Sequence, residues 1–193
     1  SAASDVYKRQ QRDDEWGCAL ENRLRFPIEV TRQTRKICGD DFIILYRLSM
    51  LDLVEGGLSW AETVKLARAL EEAGATMFNT ASGWHEARIP TIMHSVPRGA
   101  FTWATARLMD KVNVPLITSN RINNPEQAEK LIATGVADMV SMARPFLADA
   151  DFVAKAMSGN ADEINTCIAC NQGCLDYIFK GKISTCLVNP RAC

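Results

Sequence analysis

The sequence predicts an α/β fold: the C-terminal half of a (β/α)8 TIM barrel, followed by a cysteine-rich iron–sulfur segment and truncated at both ends. Two observations carry this. Short apolar runs alternate with amphipathic runs four times between Asp41 and Met157, a spacing of about 30 residues per unit, whereas eight units need about 250 residues. Four cysteines then crowd the end of the chain, Cys167, Cys170, Cys174 and Cys186, in the pattern C-x2-C-x3-C-x11-C.

The elements follow in order. Residues 22–36 (NRLRFPIEVTRQTRK) are amphipathic, with Leu24, Ile28 and Thr31 facing inward, and Pro27 is expected to confine the helix start. Residues 42–47 (FIILYR) read as a buried parallel strand that Arg47 closes. Ser59-Trp60-Ala61-Glu62 is a capping box, after which Trp60, Val64, Ala67 and Leu70 keep helical spacing until Gly74. Residues 75–80 form the second strand, and a long loop through Trp84, His85 and Pro90 follows. A helix over 100–112 leads to a strand over 114–118. Asn124 as cap and Pro125 at the first helical position open a helix that Gly135 ends. A strand over 138–142 and a helix over 148–157 complete the pattern. Met50, Met139 and Met142 read as core fillers. A half barrel of this kind leaves two parallel strand edges unpaired.

Residues 1–10 (SAASDVYKRQ) lack periodicity and are expected to be non-native adapter sequence. The partial barrel is assigned to residues 11–160 and the iron–sulfur segment to 161–193. The chain stops seven residues after Cys186 with no closing helix, so it reads as an internal piece of a larger protein.

The 193 residues are 47% hydrophobic and carry a net charge of −1, which gives no reason to expect nucleic acid or an anionic membrane surface as partner. No apolar run approaches membrane-spanning length. Seven cysteines cannot all pair, so a reducing, cytoplasmic compartment fits better than a disulfide framework. The short x2 and x3 gaps let three thiolates surround one soft metal centre, and the x11 excursion returns with a fourth. Carboxylates are sparse among them, so hard cations are poorly served. An iron–sulfur cluster is the first reading, a structural zinc site the competitor, and coincidental thiols the third option. Cys18, Cys38 and Cys193 lack paired spacing.

In an α/β barrel, chemistry sits at the carboxyl ends of the strands. Arg47, the 83–88 loop, Asn120-Arg121 and Ala143-Arg144 all fall there. Guanidinium forks match phosphate oxygens, so Arg121 and Arg144, after the last two strands, are expected to hold a phosphate. His85, in a polar loop beside Glu86, is the histidine placed for a substrate carbonyl; His94 reads as structural.

The stretches QRDDEWG (11–17), ENRLRF (21–26), YRLSMLDLVEGG (46–57), GWHEARIPT (83–91), PRGAF (97–101), ADMVSMARPFLAD (137–149) and CIACNQGCLDYIFKGKISTCLVNPRAC (167–193) resemble the bacterial 2,4-dienoyl-CoA reductases, large relatives of the Old Yellow Enzyme group. The resemblance implies FMN at the barrel mouth, with Arg47 against the flavin ring and Arg121, Ala143 and Arg144 on its phosphate. It implies His85 as the active-site histidine, with Gln11, His85, Glu86, Ala87 and Arg88 bordering an acyl-CoA thioester. The four cysteines would bind a 4Fe–4S cluster, and FAD and NADPH would belong to a missing downstream domain. Two departures stand out: the family's catalytic tyrosine has no counterpart, Tyr7 being in the adapter-like stretch, and position 18 is Cys where the family usually has Gly. Alternatives are an iron–sulfur flavin enzyme acting on an amine or enone, or a non-catalytic module stapled by zinc. The oligomeric state is not readable.

Overall fold

The computed structural model describes residues 12–83 and 87–192. Four parallel strands form one sheet in sequence order: β1 (Leu45–Leu51), β2 (Met77–Ser82), β3 (Leu116–Thr118) and β4 (Met139–Val140). The helices are α1 (Leu20–Cys38), α2 (Trp60–Glu72), α3 (Thr102–Leu108), α4 (Pro125–Ala133), α5 (Arg144–Ala148), α6 (Phe152–Met157) and α7 (Leu175–Phe179). Sequential parallel neighbours joined by helices are the arrangement of a partial (β/α) barrel. Among the described residues, no helix is long and apolar enough to cross a membrane.

Alternation along the strands separates two faces. Leu48 and Met50 of β1, Phe78 of β2 and Leu116 of β3 pack with Leu66, Ala67 and Leu70 of α2 and Ala104 and Leu108 of α3 to make the core. The opposite row, Arg47, Asn79, Ile117 and Met139, is in register across all four strands. The helix starts follow their local chemistry. Ser59 and Glu62 cap reciprocally at α2, and Asn124 accepts from the Gln127 amide at α4 with Pro125 behind it.

Four expectations are corrected. The first strand begins at Leu45, not at 42: Phe42 and Ile43 are exposed, and strand pairing starts only where Leu45 meets Met77. Arg47 is therefore the third residue of β1 and does not close it. Pro27 does not confine α1, which runs from Leu20 through it. Leu24, Pro27 and Thr31 form one buried stripe, and burial outweighs the lost N–H bond. The helix expected over 148–157 begins only at Phe152 (α6), and residues 144–148 form a separate short helix, α5, that ends at Asp149, whose backbone is extended (φ −146°, ψ 107°). Met50 is a core residue, but Met139 is 37% exposed on the edge strand and Met142 lines a cavity described below. Cys18 takes φ 60°, the left-handed region that explains why glycine suits that position.

A buried hydroxyl network ties the sheet to α3. Thr80 Oγ1 lies 2.7 Å from Thr105 Oγ1 and 3.0 Å from the Ile117 carbonyl, with one proton to give to either, and Thr105 donates to Thr118 Oγ1 at 3.0 Å. Thr105→Val keeps the shape and removes the link between Thr80 and Thr118. It is expected to cost about 1–2 kcal/mol, read as a lower denaturant midpoint at unchanged m-value. An unchanged midpoint would show that the hydroxyls are satisfied independently.

Candidate functional site: a cationic cavity beside four cysteines

The inner row of the sheet is polar where the strands approach their carboxyl ends. Arg47 Nη1 donates to Asn79 Oδ1 at 2.8 Å, and Asn79 Nδ2 donates to Ser141 Oγ at 2.9 Å. Asn79 thus spends both ends of its amide holding Arg47 and the turn after β4. Sequence reasoning missed this residue, although a polar side chain inside the strand MFNTAS is a readable signal.

After β3 the chain turns sharply. Asn120 (φ 71°) and Arg121 (φ 58°) are consecutive left-handed residues, a conformation that arginine adopts at a cost of about 1–2 kcal/mol. The turn is held by Asn120 Nδ2 on the Ser82 carbonyl (2.9 Å) and by the Gly99 N–H on the Arg121 carbonyl (2.9 Å). Arg121 Nε donates to the Val96 carbonyl at 2.8 Å, which fixes the side chain. Burial lowers the Arg121 pKa from its ordinary value, and the neighbouring charge of Arg144 adds to the effect.

Arg47, Arg121, Ala143 and Arg144 line one cavity of about 350 Å³, together with Asn79 and Asn123, and among the described residues no carboxylate lines it. Such a wall is chemically suited to an anion. A second cavity of about 480 Å³ shares Arg47 and Asn120 with the first. Ala87, Arg88 and Thr91 form part of its wall. Gly83 (φ 66°) opens that wall: a Cβ there would meet Thr91 Cγ2 at 2.5 Å, so any other residue would have to displace the Thr91 side chain and hold a left-handed backbone. Of the residues expected to border substrate, Gln11, His85 and Glu86 lie outside the described residues.

All four cysteines, Cys167, Cys170, Cys174 and Cys186, line a third, narrow cavity of about 20 Å³ with Arg144, Asn171 and Gly173. They are free thiols; Cys167 is buried and the others half-buried. The loop is folded by left-handed residues on both sides of Cys170, Ala169 (φ 55°) and Asn171 (φ 64°). The Thr185 N–H donates to the Gly173 carbonyl at 2.7 Å and brings Cys186 back. A side chain at Gly173 would meet Thr185 O at 3.0 Å, so the two backbones pack directly. Burial pushes the Cys167 thiol pKa up, the Ala169 N–H and Arg144 pull it down, and Cys186 and Cys174 push it up again. Among the described residues no three His, Cys, Asp or Glu side chains are gathered as a single-ion site. The donor set is all sulfur and therefore suited to soft metal chemistry, but the cavity as it stands holds roughly one water molecule.

Asp149 anchors the approach to these cysteines. Its buried carboxylate accepts from Lys155 Nζ (2.7 Å), the Asn165 N–H (2.8 Å) and the Asp151 N–H (3.0 Å). Lys155 first, and the Asn165 N–H second, hold its pKa below the usual carboxylate value. Sequence reasoning missed it, since its partners are recognisable only after the chain folds.

The model of the NADH:flavin oxidoreductase / NADH oxidase family matches residues 6–163. The chain is 38% identical to a metal reductase of Desulforamulus reducens, over 94% of this chain and 27% of that protein. It is 36% identical to an NADH oxidase of Thermoanaerobacter brockii, over 96% and 29%. The structure of a 2-naphthoyl-CoA reductase in complex with 2-naphthoyl-CoA superposes with a TM-score of 0.91 at 38% identity, covering 94% of this chain and 28% of that one. The chain thus spans less than a third of the length of these relatives.

Because the folded-state pKa of Asp149 is depressed, its contribution to stability is full above the unfolded value, about 3.9. That contribution is lost as pH falls through the lower, folded value. Denaturant unfolding of wild type and Asp149→Asn across pH should show a wild-type advantage that is constant above about pH 5 and shrinks below about pH 4. An advantage independent of pH would refute the charged clamp.

Proposed function

The chain belongs to the NADH:flavin oxidoreductase / NADH oxidase family, and we propose that it is the flavin- and cluster-bearing part of an enzyme that reduces 2,4-dienoyl-CoA thioesters with electrons from NADPH, in the breakdown of unsaturated fatty acyl chains. Membership of the family makes it a flavin oxidoreductase and implies FMN. The observation that carries the reading is the cavity with Arg47, Arg121 and Arg144 on its wall and, among the described residues, no carboxylate. The larger cavity shares the wall residues Arg47, Ile92 and Asn120 with it, which would give a substrate a place beside a bound flavin. The acyl-thioester assignment draws support from the CoA-ester reductase that shares this fold at 38% identity. FAD and NADPH would be held in a domain outside residues 1–193, as the greater length of the relatives allows. Free thiols suit a reducing, cytoplasmic compartment.

FMN supplies hydride-transfer chemistry and a 4Fe–4S cluster single-electron transfer. In this reading Arg121, held by Val96, and Arg144 with Ala143 grip the flavin phosphate as charge-assisted donors. Arg47, fixed by Asn79, would supply a positive charge to a flavin ring held in this cavity. Ala87 and Arg88, with Gln11, His85 and Glu86, border the thioester, and His85 orients the reacting enoyl group and helps deliver its proton. Cys167, Cys170, Cys174 and Cys186 ligate the cluster. The support is their shared cavity and, among the described residues, the absence of carboxylates from its wall.

Full-length protein purified without oxygen should be brown and contain iron; Cys174→Ser should abolish the colour and Cys18→Ser should not. Stoichiometric zinc with no iron would overturn the cluster reading. The NADPH-reduced enzyme should be reoxidised by a 2,4-dienoyl-CoA in preference to a simple enone, and a secondary amine should not reduce the oxidised enzyme. The opposite preference moves the substrate to the enone or amine class. His85→Ala should leave reduction by NADPH intact and slow reoxidation by the thioester about 10²–10⁴-fold. Equal half-reaction rates would make His85 a structural loop residue.

A further inference from the structure

Arg144 belongs to two cavities at once, the cationic one and the one lined by the cysteines. A long arginine side chain samples many rotamers unless an acceptor fixes it. Here the acceptor is Asn171 Oδ1, 2.5 Å from Arg144 Nη1. Asn171 lies on the cysteine segment, between Cys170 and Cys174, and also lines the 480 Å³ cavity. Its backbone is left-handed (φ 64°), and its carbonyl accepts from the Asp176 N–H at 2.9 Å, so the side chain leaves from an anchored point. A second tie runs the same way: Asn123, on the wall of the cationic cavity, donates to the Cys167 carbonyl at 2.7 Å. The identity of the acceptor matters. A neutral amide orients the guanidinium and leaves its charge available, whereas a carboxylate in that place would neutralise it.

We infer that Asn171 is a positioning residue: it holds Arg144 in place for the phosphate of the flavin nucleotide, and thereby makes the cationic cavity depend on the fold of the cysteine segment. The inference rests on the reading of that cavity as the FMN phosphate site.

The test compares FMN with riboflavin, which lacks the phosphate, by titrating both into full-length apoprotein. Asn171→Gly accepts the left-handed backbone and removes only the side-chain acceptor. It should weaken FMN by about tenfold and leave riboflavin unchanged. Asn171→Asp keeps the hydrogen bond and cancels the charge, so it should also weaken FMN selectively; it carries the test should the glycine variant misfold. In an Arg144→Ala background, Asn171→Gly should cost nothing further. Equal losses for FMN and riboflavin, or an additive effect on top of Arg144→Ala, would show that Asn171 merely supports the loop and would overturn the inference. Retained FMN affinity in Asn171→Gly alongside loss in Arg144→Ala sinks the inference and leaves the phosphate site standing. A wild-type protein that does not prefer FMN to riboflavin overturns both.

Discussion

The side-chain tie from Arg47 through Asn79 to Ser141 sets the chemistry of the sheet. It runs across the sheet from β1 to the turn after β4, and it can form only in the observed parallel register, where Arg47 faces Asn79. A slip of one residue would turn Arg47 into the helix layer and Leu48 into the cavity. The hydrophobic demand of Leu48, Met50, Phe78 and Leu116 therefore also decides where the positive charge points. On the helix side the threonine hydroxyls satisfy one another, so the sheet carries polar groups on both faces without leaving them unpaired.

Much of this was legible in the sequence, for local reasons. The capping box at Ser59 and the Asn124-Pro125 pair are contacts within a few residues, and each places a helix start correctly. The shared wall of Arg121, Ala143 and Arg144 follows from barrel geometry once four strands are recognised. What escaped depends on distant partners. The start of β1 is set by Met77, the persistence of α1 through Pro27 by the core it covers, and the break at Asp149 by an amide sixteen residues later, at Asn165. Asn79 and Asn171 look like ordinary polar residues until the arginines they hold are brought to them.

Strain is concentrated at the same places. Asn120, Arg121, Ala169 and Asn171 are left-handed residues with side chains, and each flanks or lines a cavity. Helix termini elsewhere use glycine for the same backbone, as at Gly74 and Gly135, where no side chain has to reach a ligand. Near the cavities the side chain is needed, and the surrounding hydrogen bonds hold the backbone in its unfavourable state.

The sheet order β1-β2-β3-β4 has a consequence for its edges. Among the described residues β1 and β4 are the outer strands, and each turns one row of backbone N–H and C=O groups away from the sheet. Parallel strands added at these two edges close the sheet into a barrel only if the twist and tilt accumulated from strand to strand bring the last edge round to the first; otherwise the sheet stays open.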